Sequence, residues 1–192
     1  LLASFLSPLT NRRKDDWGGD PERRFRLFEE IYGSVRRAVG KDYPVFAKLH
    51  LGDFLVFGRP WPANYQAGMR MQALGVDAIE FAIGVQENIT ITFAKGGMPI
   101  EVVGDHLSPL HRLYWKTIAV CYTPFTKFNG PYFTHPAREM KRRGLTVPLL
   151  LSGGFRRYAE AEHAIAGKTA DMVGMSRPLL REPDLPQRWI EP

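Results

Sequence analysis

The sequence predicts an α/β fold, a partial (β/α)8 TIM barrel comprising about its last four strand–helix units. Three observations point there. Four apolar runs of strand length lie at Pro44 to Leu51, Asp77 to Ile83, Val147 to Leu151 and Ala170 to Met175. Segments with helical spacing precede or separate them, so strands and helices alternate, the pattern of parallel strands joined by crossovers. Four strands alone leave two open edges, which proteins avoid, so half a barrel of eight follows.

The chain is organised around Val147 to Pro183, VPLLLSGGFRRYAEAEHAIAGKTADMVGMSRPLLREP. One strand ends at Ser152, Gly153 and Gly154, and the next ends at Ser176 and Arg177. Paired glycines after a strand let backbone N–H groups approach an anion, and a helix start adds partial positive charge there. Two neighbouring turns of this kind make a phosphate cradle, which in such barrels usually follows the last two strands.

The elements are expected in this order. Residues 1 to 19 read as loop, with Ser7-Pro8, Thr10-Asn11 and Gly18-Gly19 as breakers. Asp20 is a good N-cap and Pro21 suits the first helical position. Phe25, Phe28, Tyr32, Val35 and Val39 recur at helical spacing, and Gly40 ends the helix. In the first strand Val45, Ala47, Leu49 and Leu51 share one face, and Phe46, Lys48 and His50 the other. Pro62 to Leu74 is a helix stopped by Gly75. In the second strand Asp77, Ile79, Phe81 and Ile83 oppose Ala78, Glu80 and Ala82. If the second set points inward, Glu80 meets Lys48, as a structural ion pair or as part of a ligand site.

The whole of 1–192 is read as one barrel portion with an insertion at 84–130. Within the insertion, Pro109 to Val120 carries a short helix, and its aromatics, Tyr114 among them, pack onto the insertion itself or cover a ligand. Pro131 to Arg143 and Arg156 to Ala166 are helices, and Pro178 to Arg181 adds a final turn. The ending, DLPQRWIEP, reads as polar and proline-broken.

Composition narrows the function classes. The chain has 192 residues, enough for a sizeable core, and a net charge of +6. That charge suits anionic ligands. The basic residues are scattered in short runs, which reads as solvated surface rather than a nucleic-acid interface. Cys121 is the only cysteine, so no internal disulfide and no cysteine-based metal site can be built. This favours a cytoplasmic setting. No apolar run approaches the roughly 20 residues of a membrane span. The opening LLASFLSPL lacks an initiator Met and a basic flank, so the chain is expected to start in mid-protein.

The opening FLSPLTNRRKDDWGGDPERRFRLFEEI closely resembles the Old Yellow Enzyme family of FMN-dependent oxidoreductases. VFAKLHLGDF resembles that family's fifth strand, GVDAIEFA the sixth, and VPLLLSGGF the seventh. ADMVGMSRPLLREPDLPQRW resembles the eighth, in the form of the NADH:flavin oxidoreductase branch. The resemblance implies a barrel that binds FMN at its C-terminal mouth, with NAD(P)H as reductant. The acceptor would be a small molecule, an electron-poor alkene such as an α,β-unsaturated carbonyl or another acceptor. Lys48 matches the basic residue beside flavin N1 and O2, where a cation stabilises negative charge on the reduced ring. Gly153, Gly154, Ser176 and Arg177 match the phosphate-binding turns. The family's substrate-binding His/Asn or His/His pair precedes the opening motif, and the branch's iron–sulfur cysteines follow the RW segment. The resemblance therefore assigns no catalytic residue and no metal ligand to this chain, and it implies a missing N-terminal half of the barrel.

Other candidates have plainer uses. His50 touches ligand or is a hydrogen-bonded rim residue. His106, His111 and His135 read as surface, and His163 as structural. Arg12 and Arg13 anchor the first loop, Asp53 at a strand end forms a turn or contacts substrate, and Trp17, Trp61 and Trp189 anchor loops. Two alternatives stay open on the residues alone. One is a non-flavin barrel lyase or isomerase on a phosphorylated substrate, with Lys48 as base or Schiff-base amine. The other is a non-catalytic half-barrel that forms a homo-oligomer or binds a partner through its open edges.

Overall fold

In a computed structural model, the structure describes residues 2–51, 61–82, 108–122, 128 and 130–191. Four strands form one sheet in the order β1 (Phe46–His50), β2 (Ala78–Ala82), β3 (Leu149–Ser152) and β4 (Met172–Gly174). Every neighbouring pair is parallel. Sequential parallel order with helical connections is the arrangement of a barrel segment. Leu1–Val85 and Gly130–Pro192 make one compact unit and Gln86–Asn129 a second.

The helices end where their chemistry says they should. Helix α1 (Leu2–Leu6) is short and precedes α2 (Pro21–Val39). The Asp20 carboxylate caps α2, accepting from the N–H groups of Glu22 and Arg23 at 2.9 Å each, and holding its own carboxyl below the ordinary range through these bonds. Phe25, Phe28 and Tyr32 are buried, and the Tyr32 hydroxyl donates to the Gly75 carbonyl at 2.5 Å. Helix α3 (Trp61–Ala73) lays Ala67 and Met71 on the sheet, and its Gly68 faces Leu49, Met140 and Leu145. Gln72 of this helix reaches to the approach of β3. Its Oε1 accepts from the N–H groups of Thr146 at 2.7 Å and Val147 at 3.0 Å.

Helix α4 (Pro109–Tyr122) belongs to the second unit. In the first unit follow α5 (Thr134–Arg142) and α6 (Tyr158–Ala166), then α7 (Arg177–Arg181) and α8 (Leu185–Ile190). The Glu160 side chain turns back to the start of α6 and accepts from the N–H of Arg156 at 2.9 Å and of Arg157 at 3.2 Å.

The two faces of the sheet differ sharply. Ala47, Leu49, Ile79, Phe81, Leu149 and Leu151 are buried beneath the helices with Phe133, Ala137, Met140 and Leu145. On the opposite face Phe46 is 54% exposed and Lys48, Glu80, Leu150 and Ser152 are exposed or half-buried. That second face is the one a closed barrel turns inward.

Several expectations are corrected. Residues 1 to 19 are not all loop, because the apolar LASFL forms α1 and buries Leu6 against α2. The ending is not merely broken by proline. Asp184 precedes α8, and Pro186 sits in its first turn, where the missing N–H costs nothing. Val35 and Val39 follow the helical spacing of α2 yet are exposed, since α2 runs past the layer that covers Phe25 to Tyr32. Tyr114, Leu110 and Leu113 on α4 are exposed as well.

Candidate functional site

Strand register decides which candidate residues share a neighbourhood. Lys48 pairs with Glu80, Glu80 with Leu150, and Leu150 with Met172, so the four form one row across the face opposite the buried one. Within that row the Lys48 Nζ meets Glu80 Oε1 at 2.9 Å. The side chains are 56% and 27% exposed. The inward ion pair foreseen from strand alternation is therefore made. In such exposure a pair contributes little stability, about 0–1 kcal/mol. Its significance is positional: it sets where a cation stands on this face. His50 follows two residues later on the same face and is half-buried.

One step further along, Ser152 on β3 pairs with Gly174 on β4. The two strands run so close that a Cβ on Gly174 would lie 3.0 Å from both Cβ and Oγ of Ser152. Immediately past Ser152 come Gly153 and Gly154, and two residues past Gly174 comes Ser176. Because their strands are paired, the two turns leave the sheet side by side. Gly153 and Gly154 have φ of +121° and +87°, a region that L side chains rarely adopt.

The glycine turn also has a structural use invisible from spacing. A Cβ on Gly154 would sit 2.5 Å from the Gly130 carbonyl oxygen, and one on Gly153 would sit 3.0 Å from the Tyr132 ring. The Tyr132 N–H donates to the Gly153 carbonyl at 3.3 Å. The segment before α5 thus lies directly against the turn. Sequence reasoning missed Gly130 and Tyr132, and no local pattern marks them. Ser176 and Arg177 are exposed; the Ser176 carbonyl accepts from Leu180 N at 3.0 Å as α7 begins.

The other candidates separate from this face. Arg12 donates to the Leu9 carbonyl, and Arg13 pairs with Asp15 at 2.5 Å. His111, His135 and His163 are exposed. Trp17 lies under the Arg26 guanidinium, and Trp189 packs edge-on against Tyr158. Asp53, His106 and Gly84 lie outside the described residues, as does the side chain of Trp61. Among the described residues no group of three or more His, Cys, Asp or Glu could hold a metal, and no helix is long and apolar enough to cross a membrane. One buried residue escaped the sequence reading altogether: Asn64 of α3 is fully buried, and among the described residues neither its Nδ2 nor its Oδ1 has a hydrogen-bond partner.

A phosphate-bearing flavin can be tested against this geometry. Neighbouring strands lie about 4.8 Å apart, so β1 and the β3–β4 turns are separated by roughly 10–14 Å. A flat ring joined through a five-carbon chain to a phosphate can bridge that span. The Lys48 cation lies at one end and the glycine and Ser-Arg turns lie at the other. The residues present fit the group.

Comparison with known proteins supports the same relationship. Residues 1–84 match the NADH:flavin oxidoreductase / NADH oxidase family. The chain is 28% identical over 191 residues to an NADH oxidase of Thermoanaerobacter brockii, covering 100% of this chain and 25% of that protein. It is 31% identical to an NADH-dependent flavin oxidoreductase of Talaromyces variabilis, covering 99% of this chain and 41% of that one. Among solved structures, a 2-naphthoyl-CoA reductase superposes with a TM-score of 0.74 at 26% identity, covering all of this chain and 24% of its own. The chain thus spans well under half the length of these relatives. The chain is thus similar over nearly its whole length to these oxidases and reductases, and its first 84 residues match the NADH:flavin oxidoreductase / NADH oxidase family.

Proposed function

We propose that this chain is the flavin-phosphate-binding portion of an FMN-dependent NAD(P)H oxidoreductase of the Old Yellow Enzyme type. The observation that carries the reading is the sheet face opposite the buried one. It sets one cation, Lys48, in mid-strand and two paired turns, after β3 and β4, at the strand ends. When bound, FMN supplies two-electron chemistry, accepting hydride from NAD(P)H and passing it to an electron-poor acceptor such as an activated alkene.

The residues of this chain divide the binding task. The backbone N–H groups of Gly153, Gly154 and Ser176 receive the phosphate, and the Arg177 guanidinium adds a bidentate contact. The Lys48 ammonium faces the ring's pyrimidine end, where it favours negative charge on the reduced form. No residue of this chain is assigned the transfer of a proton to substrate. That role, the substrate and the rest of the ring contacts belong to the remainder of the barrel.

The test is direct. The protein at its natural length is purified and its absorbance is read in the flavin bands, with FMN identified after denaturation. Arg177→Ala is expected to weaken FMN binding about 10-fold or more, through loss of a charge-assisted contact. A colourless protein that binds a phosphorylated substrate and forms a borohydride-trapped adduct at Lys48 would favour the lyase reading instead.

A further inference from the structure

We infer that Glu80 is a positioning residue for the flavin ring, acting through Lys48. The inference rests on the flavin reading above and goes one step beyond it. Lys48 carries a long side chain with many rotatable bonds, and more than half of it is exposed. Left alone, its ammonium would sample many positions. Glu80 removes that freedom. It occupies the register position directly opposite on the neighbouring strand, and its Oε1 holds the Nζ at 2.9 Å. Leu150 and Met172, next in the row, offer no competing charge.

Two consequences follow from one bond. The ammonium is held at a fixed height on the sheet, below the turns that take the phosphate. Its charge is also half-compensated, because an anion stands beside it. A ring bound over this row then feels the field of an ion pair rather than of a bare cation. The ion pair favours negative charge on the ring less strongly than Lys48 alone. Glu80 therefore sets how readily the bound flavin holds electrons, without touching the substrate.

The experiment measures the midpoint potential of the flavin in the purified holoprotein for the native protein and for E80Q, E80D and K48M. E80Q is expected to shift the oxidised-to-reduced ratio at fixed potential roughly tenfold toward reduced, about 30 mV for a two-electron couple. E80D, which keeps the charge, is expected to stay near the native value, and K48M to shift the opposite way. A second readout needs no flavin. In the cofactor-free protein, Lys48 of E80Q is expected to be acylated several-fold faster than in the native chain, read by mass spectrometry against the other lysines.

The outcomes separate the two claims. If flavin binds and K48M moves the potential while E80Q does not, the flavin reading stands and the role given to Glu80 is wrong. A protein that binds no FMN overturns both, and a K48M variant with native potential overturns the ring roles of Lys48 and Glu80 while leaving phosphate binding to the Arg177→Ala test. Equal acylation of Lys48 in E80Q and native protein also overturns the role of Glu80, since the pair would then not hold the amine.

Discussion

Asp77 and Asp171 occupy equivalent places in two successive halves of the sheet. Asp77 precedes β2, and its Oδ2 accepts from the N–H of Val45 at 2.7 Å, just before β1, while its own N–H donates to the Val45 carbonyl at 3.1 Å. Asp171 precedes β4, and its Oδ2 accepts from the N–H of Leu149 at 2.8 Å, while its own N–H donates to the Leu149 carbonyl at 2.9 Å. Each carboxylate also receives a cation from the helix that enters the earlier strand. Arg36 of α2 reaches Asp77 at 2.5 Å, and Lys141 of α5 reaches Asp171 at 2.7 Å. Helix, strand, helix and strand are thus stapled twice by the same device.

That device predicts an acid limit to stability. The Val45 N–H, then the Arg36 guanidinium, hold the Asp77 carboxyl below its usual range. Partial burial pushes Asp171 up, but the Lys141 ammonium and the Leu149 N–H outweigh it and hold it low too. Both folded-state values are depressed, so the stability they contribute is present above the unfolded value, about 4, and is lost as pH falls through the folded values. Thermal melts of the native protein are expected to fall below about pH 4. D77N and D171N should melt lower at pH 7 and lose less on acidification. A variant pair with the native pH slope would show that other carboxylates carry the acid transition.

The part of this architecture legible in sequence was the part written locally. Asp20-Pro21 and Gly40 bound α2 through groups within a turn of each other. Strand alternation placed Lys48 and Glu80 on one face, and their pairing followed because β1 and β2 are neighbours. What escaped depended on distant chain. Asp77 could be put on a strand face, yet nothing in GVDAIE says that its carboxylate closes back on Val45. The Gly153-Gly154 pair was read for the N–H groups it exposes. The backbone of Gly130 pressing on it comes from more than 20 residues earlier and leaves no local trace. Exposed Val35 and Val39 show the converse, a correct period with no layer above it.

Gly154 offers a clean separation of strain from crowding. Gly154 and Gly19 share a φ of +87°, but a Cβ on Gly19 would meet nothing within 4 Å, whereas one on Gly154 would lie 2.5 Å from the Gly130 carbonyl oxygen. G19A is expected to cost about 1 kcal/mol for its backbone conformation alone. G154A must also move backbone and should cost about 2–4 kcal/mol. Urea unfolding of the two variants checks this. Equal losses would mean that the 130–132 segment yields without penalty.

Asn64 makes an unusual prediction, because removing a polar group should help. Its amide is fully buried on the core side of α3, with both polar atoms unpartnered among the described residues. Burying an unpartnered amide costs about 1–3 kcal/mol. Leucine has nearly the same volume and branching. N64L is expected to raise the melting temperature by a few degrees, while N64A, which opens a void, should lower it. If N64L is destabilised as much as N64A, the amide is doing something that the hydrophobic accounting omits.

Gln72 shows how a polar side chain with one well-placed oxygen joins elements far apart in sequence. From the end of α3 its Oε1 accepts the N–H groups of both Thr146 and Val147, and Thr146 Oγ1 also donates to it at 3.2 Å. Residues 146 and 147 lie outside the ladder hydrogen bonds of β3, so these N–H groups have Gln72 where a strand would have a neighbour. Q72M keeps the length and apolar stem and deletes the acceptor. It is expected to cost about 1–3 kcal/mol, with Val147 bearing more of it than Thr146 because Val147 is buried and Thr146 exposed. Q72E keeps an acceptor and should recover most of the loss. Amide exchange localises the effect: in Q72M the Val147 N–H should exchange faster, while the Ile79 N–H, which donates to the Pro148 carbonyl at 2.9 Å one step further on, keeps its protection. Loss of protection at both would mean that Gln72 holds the start of β3 itself and not only the turn that leads into it.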